Sequence, residues 1–87
     1  MGDRIHRNEL VQIVSERTGH DLATTGTVID ATLEAIYETL KHGESVSLRD
    51  FGTLYVRPER DTWVFKFSPS QRLRAVLGWS STYRGKL

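Results

Sequence analysis

The sequence predicts an α+β domain: two helices, a three-stranded antiparallel sheet and a short closing helix. Three observations carry this reading. Small or apolar residues recur every three or four positions from Leu22 to Leu40. Three segments between Glu44 and Phe67 alternate polar and apolar side chains. Ser68-Pro69-Ser70-Gln71 has the residue order that opens a helix.

The first helix is predicted from about Asn8 to Arg17, with Asn8 as N-cap and Leu10, Ile13 and Val14 as its apolar stripe. Gly19 breaks it. Asp21 caps a second, longer helix that runs to about His42 and is stopped by Gly43. In that helix Leu22, Gly26, Ile29, Leu33, Ile36 and Leu40 follow alternating steps of four and three, the spacing of a seam that faces a partner helix. Gly26 leaves a gap there or lets another group approach closely. The first helix is too short to cover a face ~30 Å long, so a second copy of the chain is the natural cover. Strands are predicted over Glu44–Leu48, Thr53–Arg57 and Thr62–Phe67, with a turn at Asp50-Phe51-Gly52 and a short loop over Pro58–Asp61. Leu54, Val56, Trp63, Phe65 and Phe67 fall on one sheet face; Tyr55, Arg57, Val64 and Lys66 fall on the other. The last helix has Ser68 as N-cap, Pro69 in its first position and Gly78 as its stop. Residues 1–78 read as a single domain, and the tail Trp79–Leu87, which has no period, is expected to be partly disordered.

Eighty-seven residues with 38% hydrophobic content suit one small folded domain. A chain this short buries only about 60–65% of its unfolded surface and often gains the rest by assembling. It has no cysteine, so disulfides and thiolate metal cages are excluded. Met-Gly-Asp-Arg-Ile-His lacks the apolar core of a signal peptide, and no apolar run approaches the ~20 residues of a membrane span. The expectation is an intracellular protein that meets no membrane. Net charge is +1, but residues 1–56 carry a balance of −4 and residues 57–87 one of +5. Such a split points one surface toward an anion.

No catalytic constellation is legible. His6, His20 and His42 are scattered at element ends without metal-ligand spacing, and no nucleophile elbow or phosphate-cradling glycine loop occurs. The expectation is a protein without catalysis, metal, cofactor or small-molecule substrate.

Several words in the chain occur in a fixed order: Asn8-Glu9-Leu10, Thr18-Gly19, Ile29-Asp30-Ala31, Leu40-Lys41-His42-Gly43-Glu44, and the unbroken run Val46 to Arg57 containing Arg49-Asp50-Phe51-Gly52-Thr53-Leu54. The pattern resumes at Val64 and includes Phe67-Ser68-Pro69, Leu73 and Arg74. In this order and spacing the chain resembles the bacterial HU and integration host factor family of histone-like proteins, over about residues 8 to 77. The resemblance implies an intertwined homodimer, or a heterodimer with a paralogue. Leu22, Ile29, Leu33, Ile36, Leu40, Phe51 and Phe67 would lie in its shared interior. It also implies duplex DNA held in a saddle built from both sheets, in the cytoplasmic nucleoid.

The chain departs from the family pattern in three places. The family's second and third strands extend into long ribbon arms that wrap the minor groove, each with a wedging proline near its tip. Here only Pro58-Glu59-Arg60-Asp61 joins those strands, so Pro58 does not inherit the wedge role and strong bending is not expected. Asp50 stands where the family has glycine before Phe51-Gly52, and Ser70 stands where it has glycine after the proline. DNA contact would then come from the body: Tyr55, Arg57 and Lys66 on the saddle face, Arg60 at the hairpin tip, Ser70, Gln71, Arg72 and Arg74 at the last helix, and Arg7 at the first. These are phosphate contacts, so little sequence preference is expected; without arms, and with Glu59 and Asp61 in the hairpin repelling the duplex, weak binding is expected. The alternative is a dimeric protein-interaction module that keeps the fold without the DNA role, with Trp79 and Tyr83 as candidate anchors. A helix-turn-helix regulator built on Thr18-Gly19-His20 ranks last, because its second helix is too long and too apolar on one stripe for a recognition helix.

Overall fold

The computed structural model describes residues 2–77. The stop at Gly78 and the tail with Trp79 and Tyr83 lie outside the described residues. The elements are α1 (Arg7–Thr18), α2 (Leu22–Lys41), β1 (Val46–Leu48), β2 (Gly52–Glu59), β3 (Thr62–Pro69) and α3 (Gln71–Leu77). The chain divides into two compact units at Tyr37/Glu38, a helical region and a sheet region.

In the helical region α1 begins one residue earlier than its sequence signal. His6, not Asn8, is the N-cap residue. The His6 backbone N–H donates to the Glu9 carboxylate at 2.7 Å, while the Asn8 side-chain oxygen is taken by Arg7 Nη1 at 2.9 Å. A first-turn carboxylate that accepts a free N–H stabilises the start without an Asn cap. Gly19 ends α1 with φ +79°, the left-handed turn that glycine adopts without steric cost. The link is tied by the Ser15 hydroxyl donating to the His20 carbonyl at 2.5 Å. Asp21 caps α2 as expected, accepting the Thr24 N–H at 2.6 Å. Thr25, 4% exposed, donates its hydroxyl to the Asp21 carbonyl. Val11, 5% exposed, is the one buried large apolar side chain among the described residues. Along the stripe Gly26 is buried, Ile29, Ile36 and Leu40 are half-buried, and Leu22 and Leu33 are exposed, Leu33 to 57%.

In the sheet region α2 ends at Lys41, and Gly43 (φ +81°) turns the chain. The ladder runs β1-β2-β3, antiparallel throughout. β1 is shorter than predicted, whereas β2 gains Gly52 at its start and Pro58 and Glu59 at its end, and β3 gains Ser68 and Pro69. Pro58 therefore lies inside β2, opposite Trp63, and the hairpin closes over Arg60 and Asp61 alone, between the partners Glu59 and Thr62. Arg60 takes φ +59° at the first turn position, where a two-residue turn of the primed kind usually has glycine. At the β1–β2 turn Asp50 has φ +62°. A short polar side chain tolerates this conformation, so Asp50 supplies the turn that a glycine would otherwise make.

The expected cap Ser68 is instead the cross-strand partner of Thr53, and Pro69 is opposite Gly52. Pairing keeps the chain extended until Ser70, whose N–H donates to the Phe51 carbonyl at 2.9 Å. Ser70 then caps α3, its hydroxyl accepting the Leu73 N–H at 3.2 Å. Gly52 needs to be glycine: a Cβ there would stand 2.5 Å from the Ser68 carbonyl oxygen and 2.7 Å from the Phe67 ring, at φ +153°. That absence lets the Phe67 and Phe51 rings approach to 5.5 Å between centroids.

Candidate nucleic-acid interface

The register divides the sheet residues by face. Partners in a ladder share a face, and successive residues alternate. Leu54↔Phe67, Val56↔Phe65 and Pro58↔Trp63 therefore form one face, and Thr53↔Ser68, Tyr55↔Lys66, Arg57↔Val64 and Glu59↔Thr62 the other. This matches the division read from alternation. The apolar face is open, with Trp63 exposed to 61% and Phe65 to 55%.

On the polar face Arg57 and Lys66 converge on a single acid. Glu59 Oε2 lies 3.4 Å from Lys66 Nζ and 3.5 Å from Arg57 Nη2. Tyr55 and Lys66 are half-buried side by side, while Arg57 stays exposed. Arg60 projects from the hairpin turn, exposed. At α3, Gln71, Arg72 and Arg74 are exposed, and the Ser70 hydroxyl is committed to the helix cap.

Arg7 belongs to a different arrangement, in the helical region. Its Nε and Nη2 each donate to one oxygen of Asp30 at 2.8 Å. The guanidinium crosses Gly26, where a Cβ would stand 2.9 Å from Nη2. Gly26 thus makes room for an arginine between two helices. The hydrogen bonds from Arg7 hold the Asp30 carboxyl below the ordinary carboxylate range, and Asp30 in turn raises Arg7. Asp21 is likewise lowered, chiefly by the Thr24 N–H. A fork-to-fork pair of this kind is directed and charge-assisted, so Arg7 is occupied within its own fold. The Gly26-to-Asp30 spacing of four residues puts both on one helix face. That was the available signal, but it did not identify which of the chain's cations would reach them.

Among the described residues no group of three His, Cys, Asp or Glu is placed to hold a metal ion, and no helix is long and apolar enough to cross a membrane. The described residues form a helical hairpin followed by a strand meander, with Arg57 and Lys66 on one sheet face and Trp63, Phe65 and Phe67 on the other.

The sequence model of the family described as bacterial DNA-binding protein matches residues 5–62. The chain belongs to that family. It is 37% identical over 57 residues to DNA-binding protein HU of Xylella fastidiosa, a match covering 66% of this chain and 61% of that protein. It is 34% identical over 58 residues to DNA-binding protein HU-beta of Neisseria meningitidis, covering 64% and 65%. The chain thus spans a little under two thirds of these relatives' length. Among solved structures, HU from Thermotoga maritima superposes with a TM-score of 0.73 at 29% identity, covering 84% of this chain and 98% of that one. HU in an Anabaena HU–DNA cocrystal gives 0.75 at 25% identity, covering 87% and 100%. The chain has an α+β HU-like fold.

Proposed function

We propose that the protein is a histone-like dimer that binds duplex DNA weakly, through its body, with little sequence preference and little bending. The carrying observation is the two-sided sheet. Tyr55, Arg57 and Lys66 lie opposite Leu54, Val56, Phe65 and Phe67, so one face can be covered by protein while the other meets phosphate. Family membership supports the DNA partner, as does the likeness to an HU chain crystallised with DNA.

Dimerisation is supported by what the single chain leaves open. One buried large apolar side chain among the described residues cannot offset the conformational entropy of ordering them. A second copy would cover Leu22, Ile29, Leu33, Ile36 and Leu40 on α2 and extend to Phe51 and Phe67. The contact set is Tyr55, Arg57, Lys66 and Arg60, flanked by Gln71, Arg72 and Arg74. Ser70 serves the flank by capping α3, and Arg7 serves the helical hairpin through Asp30. Weak bending follows from the two-residue turn between Glu59 and Thr62. Inserting a wedge into DNA costs a few kcal/mol per step, and so short a hairpin offers no arm to recover that cost by wrapping. The setting is the bacterial cytoplasm, at the nucleoid.

For a dimer that neutralises ~6 phosphates, log affinity should fall with log salt at a slope near −5. Electrophoretic titration on duplex, nicked and cruciform DNA at two salt concentrations measures this. Arg57→Glu with Lys66→Glu should abolish the complex and leave the dimer intact; a surviving complex would disprove the saddle assignment. Unchanged mobility of every DNA at low salt would favour the protein-interaction module instead, a reading supported by the near-neutral net charge of +1.

A further inference from the structure

We infer that Glu59 acts as an internal stand-in for a DNA phosphate and sets how tightly the sheet face binds. The inference rests on the DNA-binding reading above and adds a residue that opposes it. Arg57 and Glu59 are two apart on β2 and share its polar face, while Lys66 reaches the same carboxylate from β3. One oxygen, Oε2, is shared by both cations. A carboxylate oxygen offers a guanidinium or an ammonium an anionic acceptor, as a phosphate oxygen does. Glu59 therefore competes with phosphate for both cations.

Exposed pairs of this length add little to folding stability. Their effect falls on binding: two of the sheet's cations are partly neutralised in the free protein. Asp61, the hairpin's other acid, makes no ion pair among the described residues and is exposed at the turn. It can repel a duplex only through space, across solvent that screens it. The two acids thus separate competition from simple repulsion.

Fluorescence anisotropy with a short labelled duplex, at low and at physiological salt, tests this on the full chain. Glu59→Gln should bind about tenfold tighter at low salt, with a salt slope steeper by about one to two, as released cations take phosphates. Asp61→Asn should gain less than about twofold, as expected of an exposed, screened charge. Glu59→Thr, which suits a half-buried strand position, should move affinity in the same direction as Glu59→Gln. Unchanged melting curves and an unchanged dimer mass identify these as effects on binding. Adding Arg57→Ala and Lys66→Ala to Glu59→Gln should erase the gain. Equal effects of Glu59→Gln and Asp61→Asn would overturn the inference. So would no effect of Glu59→Gln in a protein whose binding Arg57→Ala with Lys66→Ala still weakens. No duplex binding by the wild type or by either Glu59 variant would remove the DNA reading and this inference together.

Discussion

The helical region and the sheet region both pair arginine with acid, and they do so differently. Arg7 and Asp30 meet through two hydrogen bonds of 2.8 Å across a glycine. Arg57 and Lys66 share one carboxylate oxygen at 3.4–3.5 Å. The first pair is directed and locked by the spacing of two helices. The second is loose, with Arg57 and Glu59 on a single strand. A cation held by two aligned bonds serves the fold; a cation held by half a carboxylate can be exchanged for another anion. The same residue type thus has a structural use in one region and, in the proposed function, a binding use in the other. Both regions also leave apolar surface open, Leu33 on α2 and Phe65 on the sheet.

The largest effect should come from that open surface. Leu33 is 57% exposed in the single chain, so an isolated subunit would accept Leu33→Asp almost without cost. In an interior shared by two copies it leaves an unpaired charge and should cost at least about 3 kcal/mol, unfolding the chain. Circular dichroism and sedimentation would show lost helix; a folded, compact monomer would end the intertwined description. Gly52→Ala ranks second. Its Cβ meets the Ser68 carbonyl and the Phe67 ring, and about 3 kcal/mol should be lost. Gly19→Ala in the helical region meets only open space and should lose about 1 kcal/mol from its positive φ. Equal drops in melting temperature would mean that the crowding at Gly52 relaxes.

The smallest effect is in the helical region and depends on pH. Arg7 lowers the folded-state pKa of Asp30, so that carboxylate's stabilisation is complete above about pH 4 and is lost as pH falls through its depressed value. Asp21 behaves in the same sense through the Thr24 N–H. The wild-type melting temperature should fall between about pH 5 and 3, and that of Asp30→Asn should fall less. Parallel curves would show that the pair adds nothing to folding.

The parts of the fold legible in the sequence are those governed by near neighbours. Gly19 and Gly43 end helices because their own backbone can turn left-handed. Asp21 caps because the N–H it accepts is three residues away. The sheet faces follow from alternation alone. The signals that misled were choices settled by competing partners, near or far. Asn8 lost the cap because Glu9 satisfies His6 and Arg7 holds the Asn8 oxygen. Ser68 lost it because Thr53 keeps it in the ladder. In the candidate site, strand spacing made Tyr55, Arg57 and Lys66 readable as a patch. The meeting of Glu59 with Lys66 was less visible, because that contact depends on a cross-strand register that spacing along one strand does not contain. Arg7 was the extreme case, since its partner is 23 residues away.

Pro58 bears on the open margin of the sheet. β1 pairs β2 only from Gly52 to Leu54, so the rest of that flank, Tyr55 to Glu59, has no neighbouring strand among the described residues. Counting back from the two-residue turn, Pro58 sits at a pair whose backbone groups point outward. A strand from a stranger molecule that tried to zip onto this margin would find a ring where it needs a donor. The proline thus removes one donor from this open margin, a feature that disfavours edge-to-edge sheet growth.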